Sequence, residues 1–67
     1  MNIVDLDLSN NAINRIEGLS GLVNIQILNL SYNQIYKVEG LDTLKYLDRL
    51  NISHNIIIDL NGLKVVN

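Results

Sequence analysis

The sequence predicts an α/β repeat fold in which three 22-residue units stack side by side. Written as three lines that begin at Asn2, Asn24 and Tyr46, the chain aligns with itself. Seven columns then contain only Leu, Ile or Val, and three more are identical throughout, one each of Ser, Asn and Gly. Composition alone would give about one or two all-aliphatic columns. The chain is therefore interpreted as one domain, 1–67, with repeats 2–23, 24–45 and 46–67.

Each unit contains a predicted strand. The second unit has Leu28-Asn29-Leu30, where apolar and polar residues alternate as in a strand with one buried face. The first and third units have Leu6-Asp7-Leu8 and Leu50-Asn51-Ile52 at the same place. The apolar positions are predicted to face a common core.

An asparagine follows each strand at a fixed distance. These residues are Asn11, Asn33 and Asn55. An Asn amide carries both donors and an acceptor, so at a buried bend it can bond backbone groups that no strand partner satisfies. The three amides are predicted to form a structural ladder and not a ligand site.

The rest of each unit predicts a bend followed by a short turn. The glycine column (Gly18, Gly40 and Gly62) indicates bends where φ is positive or a side chain would clash. After each glycine comes Leu-x-x-Leu or its equivalent, which places two aliphatic side chains on one side of a helical turn. These segments are too short for a full helix. We expect 3₁₀ or short helical turns on the convex side.

The columns together spell L-x-x-L-x-L-x-x-N-x-I-x-x-I-x-G-L-x-x-L, read here from Ile25 to Leu44. The pattern resembles the 22-residue subclass of leucine-rich repeats typified by the regulatory subunit of protein phosphatase 1. The runs Leu30-Ser31-Tyr32-Asn33 and Val38-Glu39-Gly40-Leu41 are especially similar. Bacterial internalins share the repeat length but usually carry Ser-Pro where this chain has Glu-Gly.

The resemblance covers the whole chain. It implies a curved leucine-rich repeat solenoid whose parallel β-sheet lines the concave face, and it implies protein binding as the default activity. The matching residues belong to the framework. No phosphatase-contacting residue can therefore be transferred to this sequence.

Variable positions that point to solvent are the predicted partner-binding residues. Ile27 is unusual there because it is aliphatic, and beside Tyr32 and Arg49 it could anchor a contact. Asp5 and Asp7 share a strand face but are interpreted as solvated charges, not as a catalytic pair. The full predicted set on the concave face is Asp5, Asp7, Ile27, Asn29, Tyr32, Arg49, Asn51 and His54.

The third unit has surplus aliphatic residues. Ile56 and Ile58 flank a framework position, and Val65 is surplus in the same way. Solenoids need polar capping units, and none is recognisable here. These three residues are predicted to form an association end. Either the chain is part of a longer solenoid, or it is completed by a homodimer or by docking in a larger assembly.

Composition and motifs exclude several function classes. The chain has no cysteine and a net charge of -2, so it lacks a disulfide framework and the basic footprint of a nucleic-acid binder. The first residues resemble no secretory signal, and no apolar run approaches a membrane span. No phosphate loop, metal motif or activated nucleophile is recognisable, His54 is interpreted as a surface histidine, and the repeated serines are expected to bond the loop backbone.

The sequence thus predicts a protein–protein interaction scaffold or adaptor that is not an enzyme and needs no cofactor. Its expected partner is a protein or a second copy, with no nucleic acid and no membrane involved. The expected location is intracellular, cytoplasmic or nuclear. The alternative is a structural subunit whose ends, and not its concave face, make the contacts.

Overall fold

A computed structural model describes residues 2–61 of the chain. Its framework is one three-stranded sheet in which the strands run parallel in the order β1-β2-β3. The register advances by one repeat unit from strand to strand, since Asp5 pairs with Ile27 and Ile27 with Arg49. The strands are β1 (Asp5–Asp7), β2 (Ile27–Asn29) and β3 (Arg49–Asn51).

Each strand buries its central leucine and turns its two flanking side chains the other way. Leu28 in β2 is fully buried, whereas Leu6 and Leu50 in the edge strands are half-buried. Leu30, which was predicted to lie within a strand, comes directly after β2. Its N–H still donates to the Asn51 carbonyl at 2.8 Å, so pairing between neighbours continues beyond the strand ends.

Short turns follow the strands and their bends, as predicted. The N–H of Leu22 donates to the Leu19 carbonyl at 2.9 Å, and that of Leu44 to the Leu41 carbonyl at 3.0 Å. Bonds between residues three apart are of the 3₁₀ type. The corresponding segment 63–66 lies outside the described residues. Within 2–61 no helix is long and apolar enough to cross a membrane.

The predicted glycine bends are confirmed at two positions. Gly18 and Gly40 have φ of 78° and 72°, in the left-handed region that favours glycine. At Gly40 a Cβ would also lie 2.8 Å from the Ile16 carbonyl oxygen. The third member of the column, Gly62, lies outside the described residues.

The core is concentrated in the middle of the chain. Most aliphatic residues at the same column positions in the first and third units are half-buried, because among residues 2–61 a neighbouring unit covers them on only one side. Leu60 is the extreme case: it is 56% exposed, whereas Ile16 and Val38 in its column are 3% and 1% exposed. The buried aliphatic residues are Ile16, Leu19, Ile25, Leu28, Leu30, Ile35, Val38, Leu41 and Leu44.

Candidate partner-binding surfaces

The strand face is the side of the sheet opposite the core. Ile27 and Asn29, on the central strand, are half-buried, and the strand-face residues of both edge strands are exposed. A shallow depression runs between β2 and β3, and Asp48 lies at its rim. The strand face consists of Asp5, Asp7, Ile27, Asn29, Arg49 and Asn51. Six of the eight predicted partner-binding residues therefore share one surface.

The charges on the strand face are separated by strand. The carboxylates of Asp5 and Asp7 lie on β1, and the guanidinium of Arg49 lies on β3. The central strand contributes an aliphatic and an amide side chain, Ile27 and Asn29. A partner for this surface would carry positive charge at one edge and negative charge at the other.

One row of the strand face is also part of the framework. The side-chain Oδ1 atoms of Asp7, Asn29 and Asn51 each accept two hydrogen bonds from the serine two residues later. At Asn29 these come from the N–H of Ser31 at 3.0 Å and its hydroxyl at 2.7 Å. The expectation that the serine hydroxyls bond loop backbone was wrong. Each hydroxyl donates to the side chain of the Asx residue two positions before it. The remaining serines are Ser9 and Ser53.

The same arrangement shifts the ionisation of one carboxyl group. The Ser9 hydroxyl donates to Asp7 Oδ1 at 2.6 Å, and the Ser9 N–H donates to it at 2.9 Å. Both bonds favour the charged form, so they lower the pKa of Asp7. The negative charge on β1 is thereby maintained into more acidic solution.

The asparagine ladder has the structural role predicted for it. The Nδ2 of buried Asn33 donates to the carbonyl of Leu8 in the preceding unit at 3.0 Å, and also to that of Leu30 at 3.0 Å. Its Oδ1 accepts the N–H of Ile13 at 3.0 Å. Asn55 repeats this pattern one unit later. These amides tie neighbouring units together and are not available as a ligand site.

The remaining two predicted residues, Tyr32 and His54, form an aromatic pair beyond the strand ends. Their rings stack with centroids 4.2 Å apart and planes inclined by 7°. Both backbones are left-handed, with φ of 56°, as is Asn10 at the same position of the first unit, with φ of 58°. Tyr32 is 53% exposed. The pair is thus an aromatic platform open to solvent.

Sequence reasoning found both aromatic residues but not their contact. The left-handed backbone at this position could have been found from the column Asn10, Tyr32 and His54, because Asn and His are enriched among left-handed residues, although tyrosine is not.

Residues 2–61 hold no group of three or more His, Cys, Asp or Glu side chains placed to bind a metal ion.

The predicted association end is partly described. Ile56 and Ile58 are 63% and 86% exposed, and the exposed Leu60 continues this apolar surface. The third member of that predicted set, Val65, lies outside the described residues. The surface is at the β3 end of the sheet, well separated in sequence from β1.

Comparison with known proteins identifies one family. A family model described as leucine-rich repeats, in two copies, matches residues 2–35, about half of the chain. No curated protein and no solved structure matches the chain.

Proposed function

The chain belongs to the leucine-rich repeat family, and from that premise we propose that it is a protein-binding module whose strand face and aromatic platform hold a protein partner. Leucine-rich repeats commonly mediate protein–protein interactions. The proposal includes a short solenoid of three 22-residue repeats with the strand face on its concave side. The unit-by-unit register between strands supports this arrangement.

The finer features of the proposal rest on the sequence. The run from Ile25 to Leu44 supports the 22-residue subclass, and hence a regulatory role of the kind played by the phosphatase subunit. We propose an intracellular, non-catalytic adaptor. Turnover of a substrate by the purified, tag-free chain would contradict the non-catalytic assignment.

The observation that carries the proposal is the backbone of Tyr32. Left-handed conformation costs an L-residue roughly 1–2 kcal/mol, and Asn tolerates it better than tyrosine. Asn10 occupies the same position of the first unit. One face of the ring stacks on His54, but the side chain is 53% exposed and adds little to the core. We take the exposed remainder of the ring as the part that contacts a partner. Tyrosine is among the residues enriched at interface hot spots.

Replacing Tyr32 with asparagine should abolish partner binding while changing stability by less than about 1 kcal/mol, because loss of the stack on His54 and relief of the left-handed backbone act in opposite directions. The change removes the ring but suits the left-handed backbone better, so loss of binding could not be attributed to unfolding. The measurement is affinity capture from the native source with wild-type and Tyr32→Asn chains as baits, together with the thermal midpoint of each chain.

A matched control is available at Tyr36. This tyrosine is exposed, lies outside the strand face, and has Asn14 at its position in the first unit. The Tyr36→Asn bait should retain the partner. A partner that is captured equally well by the wild-type and Tyr32→Asn baits would contradict the proposed surface.

A structural, self-associating subunit is the second candidate, favoured by the exposure of Ile56 and Ile58. In that case a second copy, as in a homodimer, or a larger assembly covers this end of the sheet. Replacing both isoleucines with aspartate should raise the monomer fraction in sedimentation without unfolding the first two units. An unchanged monomer fraction would argue against this candidate.

A further inference from the structure

We propose that copies of this chain stack end to end, with β3 of one copy pairing with β1 of the next in the register used within the chain. This inference concerns the two edges of the sheet and does not depend on the strand face holding a partner. It specifies which surfaces meet, and it predicts an open series of species and not a closed dimer.

The first support is charge complementarity between the two edges. Within the chain, Asp5, Ile27 and Arg49 form one row, with one residue from each unit. Continuing that row places Asp5 of the next copy directly beside Arg49. Opposite charges at directly opposed strand positions stabilise a pair of strands, and like charges destabilise it. The other strand-face row then places Asp7 of the next copy beside Asn51, so it creates no like-charge contact.

A second row, away from the strand face, also places opposite charges side by side at the junction. Lys37 and Asp59 are paired across a parallel bridge, and Arg15 occupies the position of Lys37 in the first unit. Continuing this row places Arg15 of the next copy beside Asp59. Arg15 also donates to Glu39 Oε2 of its own copy at 3.3 Å, so this row adds a weaker match of opposite charges than the strand-face row.

The asparagine ladder also continues across the junction. Asn33 and Asn55 each donate to a carbonyl, and accept an N–H, in the unit before their own. Asn11 occupies the same position in the first unit, where its Nδ2 donates to the carbonyls of Leu8 and Ser9. In a stack, Asn11 of the next copy would donate to the Ile52 carbonyl and accept the Ile57 N–H.

Backbone pairing follows the same rule. The N–H of Leu8 donates to the Asn29 carbonyl and that of Leu30 to the Asn51 carbonyl, each at 2.8 Å. The equivalent donor in the third unit is the N–H of Ile52, whose acceptor in a stack is the Asp7 carbonyl of the next copy. By the same rule the N–H of His54 reaches the Ser9 carbonyl of that copy.

The small size of the junction favours weak association. The molecule measures 28 × 24 × 18 Å, and three strands about 4.8 Å apart fit along its shortest dimension. Each end is then on the order of 500 Å² in area, which is at the low end for a specific interface. Stacking should therefore be weak, with association visible in the micromolar to millimolar range.

Sedimentation of the 67-residue chain over a concentration series tests the proposal. The weight-average mass should rise with concentration without a plateau at the dimer. Arg49→Asp should weaken association by about tenfold or more, and so should Asp5→Arg. The double variant Asp5→Arg/Arg49→Asp should restore it, because the charges are again opposite. Asp42→Arg, an equal charge change at an exposed residue of the middle unit, should have little effect.

Face-to-face packing of two copies is the competing arrangement, because it could also bring Asp5 near Arg49. It would leave the sheet edges unpaired. In the stack, the amides of Ile52 and His54 become protected from hydrogen exchange as concentration rises, and Asn11→Ala weakens association. Tyr32→Asn should not affect stacking, so its binding result and this one can be separated. A monomer at all concentrations, failure of the double variant to restore association, or unprotected edge amides in the associated species would overturn the proposal.

Discussion

Replacing Asn33 with alanine is expected to destabilise the chain by about 3 kcal/mol, because the change removes every hydrogen bond that its buried amide makes between units. The three carbonyls that accept from Nδ2 keep a second partner; the Leu8 carbonyl, for example, still accepts from Asn11. The N–H of Ile13 has Asn33 Oδ1 as its acceptor. That orphaned donor and the space left by the amide account for most of the expected loss. The midpoint of urea unfolding, measured in dilute solution, gives the change.

Two further variants separate the causes. Asn11→Ala removes an exposed amide whose acceptors water can reach, so it should cost less than about 1 kcal/mol. Asn33→Asp keeps the acceptor for Ile13 but directs a carboxylate at the carbonyl oxygens of Leu8 and Leu30. Repulsion raises the pKa of the new carboxyl group, so the loss should be largest at neutral pH and smaller in acid. Equal losses at Asn11 and Asn33 would show that burial does not control the ladder.

The framework was predictable because the same pattern of residues recurs along the sequence. A single Leu-x-Leu could belong to many folds, but the same alternation in every unit, each time followed by an asparagine and a glycine, is compatible with few. The positive φ at Gly18 and Gly40 and the backbone bonds of Asn33 follow from that pattern, because each column has one local geometry.

Two features of the surface were not predicted from the repeated columns. The Asx–Ser bonds follow from local spacing, and Asp7 with Ser9 shows the signal: an Asx residue two positions before a serine in each unit. The Tyr32–His54 stack depends on left-handed backbone at positions where glycine is absent. Column patterns describe what the units share, whereas a surface used for binding lies where the units differ.

The burial of equivalent residues differs between units because it depends on the neighbouring units and not on the sequence of one unit. Leu28 and Leu50 occupy the same column and have similar local sequence, but within the described part of the chain only Leu28 has a paired strand on both sides. Position in the stack therefore sets the contribution of each leucine to stability. This difference can be measured.

Replacing Leu28 with alanine should destabilise the chain by about 2–5 kcal/mol, the range for a fully buried leucine whose cavity cannot collapse. The register partners Leu6 and Leu50 provide matched controls, because they have the same side chain in edge strands that cover them on one side. Burial of half the side chain stabilises by roughly half as much, so each control should cost about 1–2 kcal/mol. Urea unfolding of the three variants gives the series, and equal costs would show that the edge leucines are as well covered as the central one.

The same three leucine variants distinguish a free sheet edge from one that is covered by a second copy. In dilute solution the destabilisation should be much larger for Leu28→Ala than for Leu6→Ala or Leu50→Ala. Where copies stack, β1 and β3 become interior strands, and stability then includes the association equilibrium. The costs at Leu6 and Leu50 should therefore increase with protein concentration, while the cost at Leu28 should stay constant because its surroundings do not change. Edge costs that are independent of concentration, in a chain that nevertheless associates, would place the contact on the strand face and away from the sheet edges.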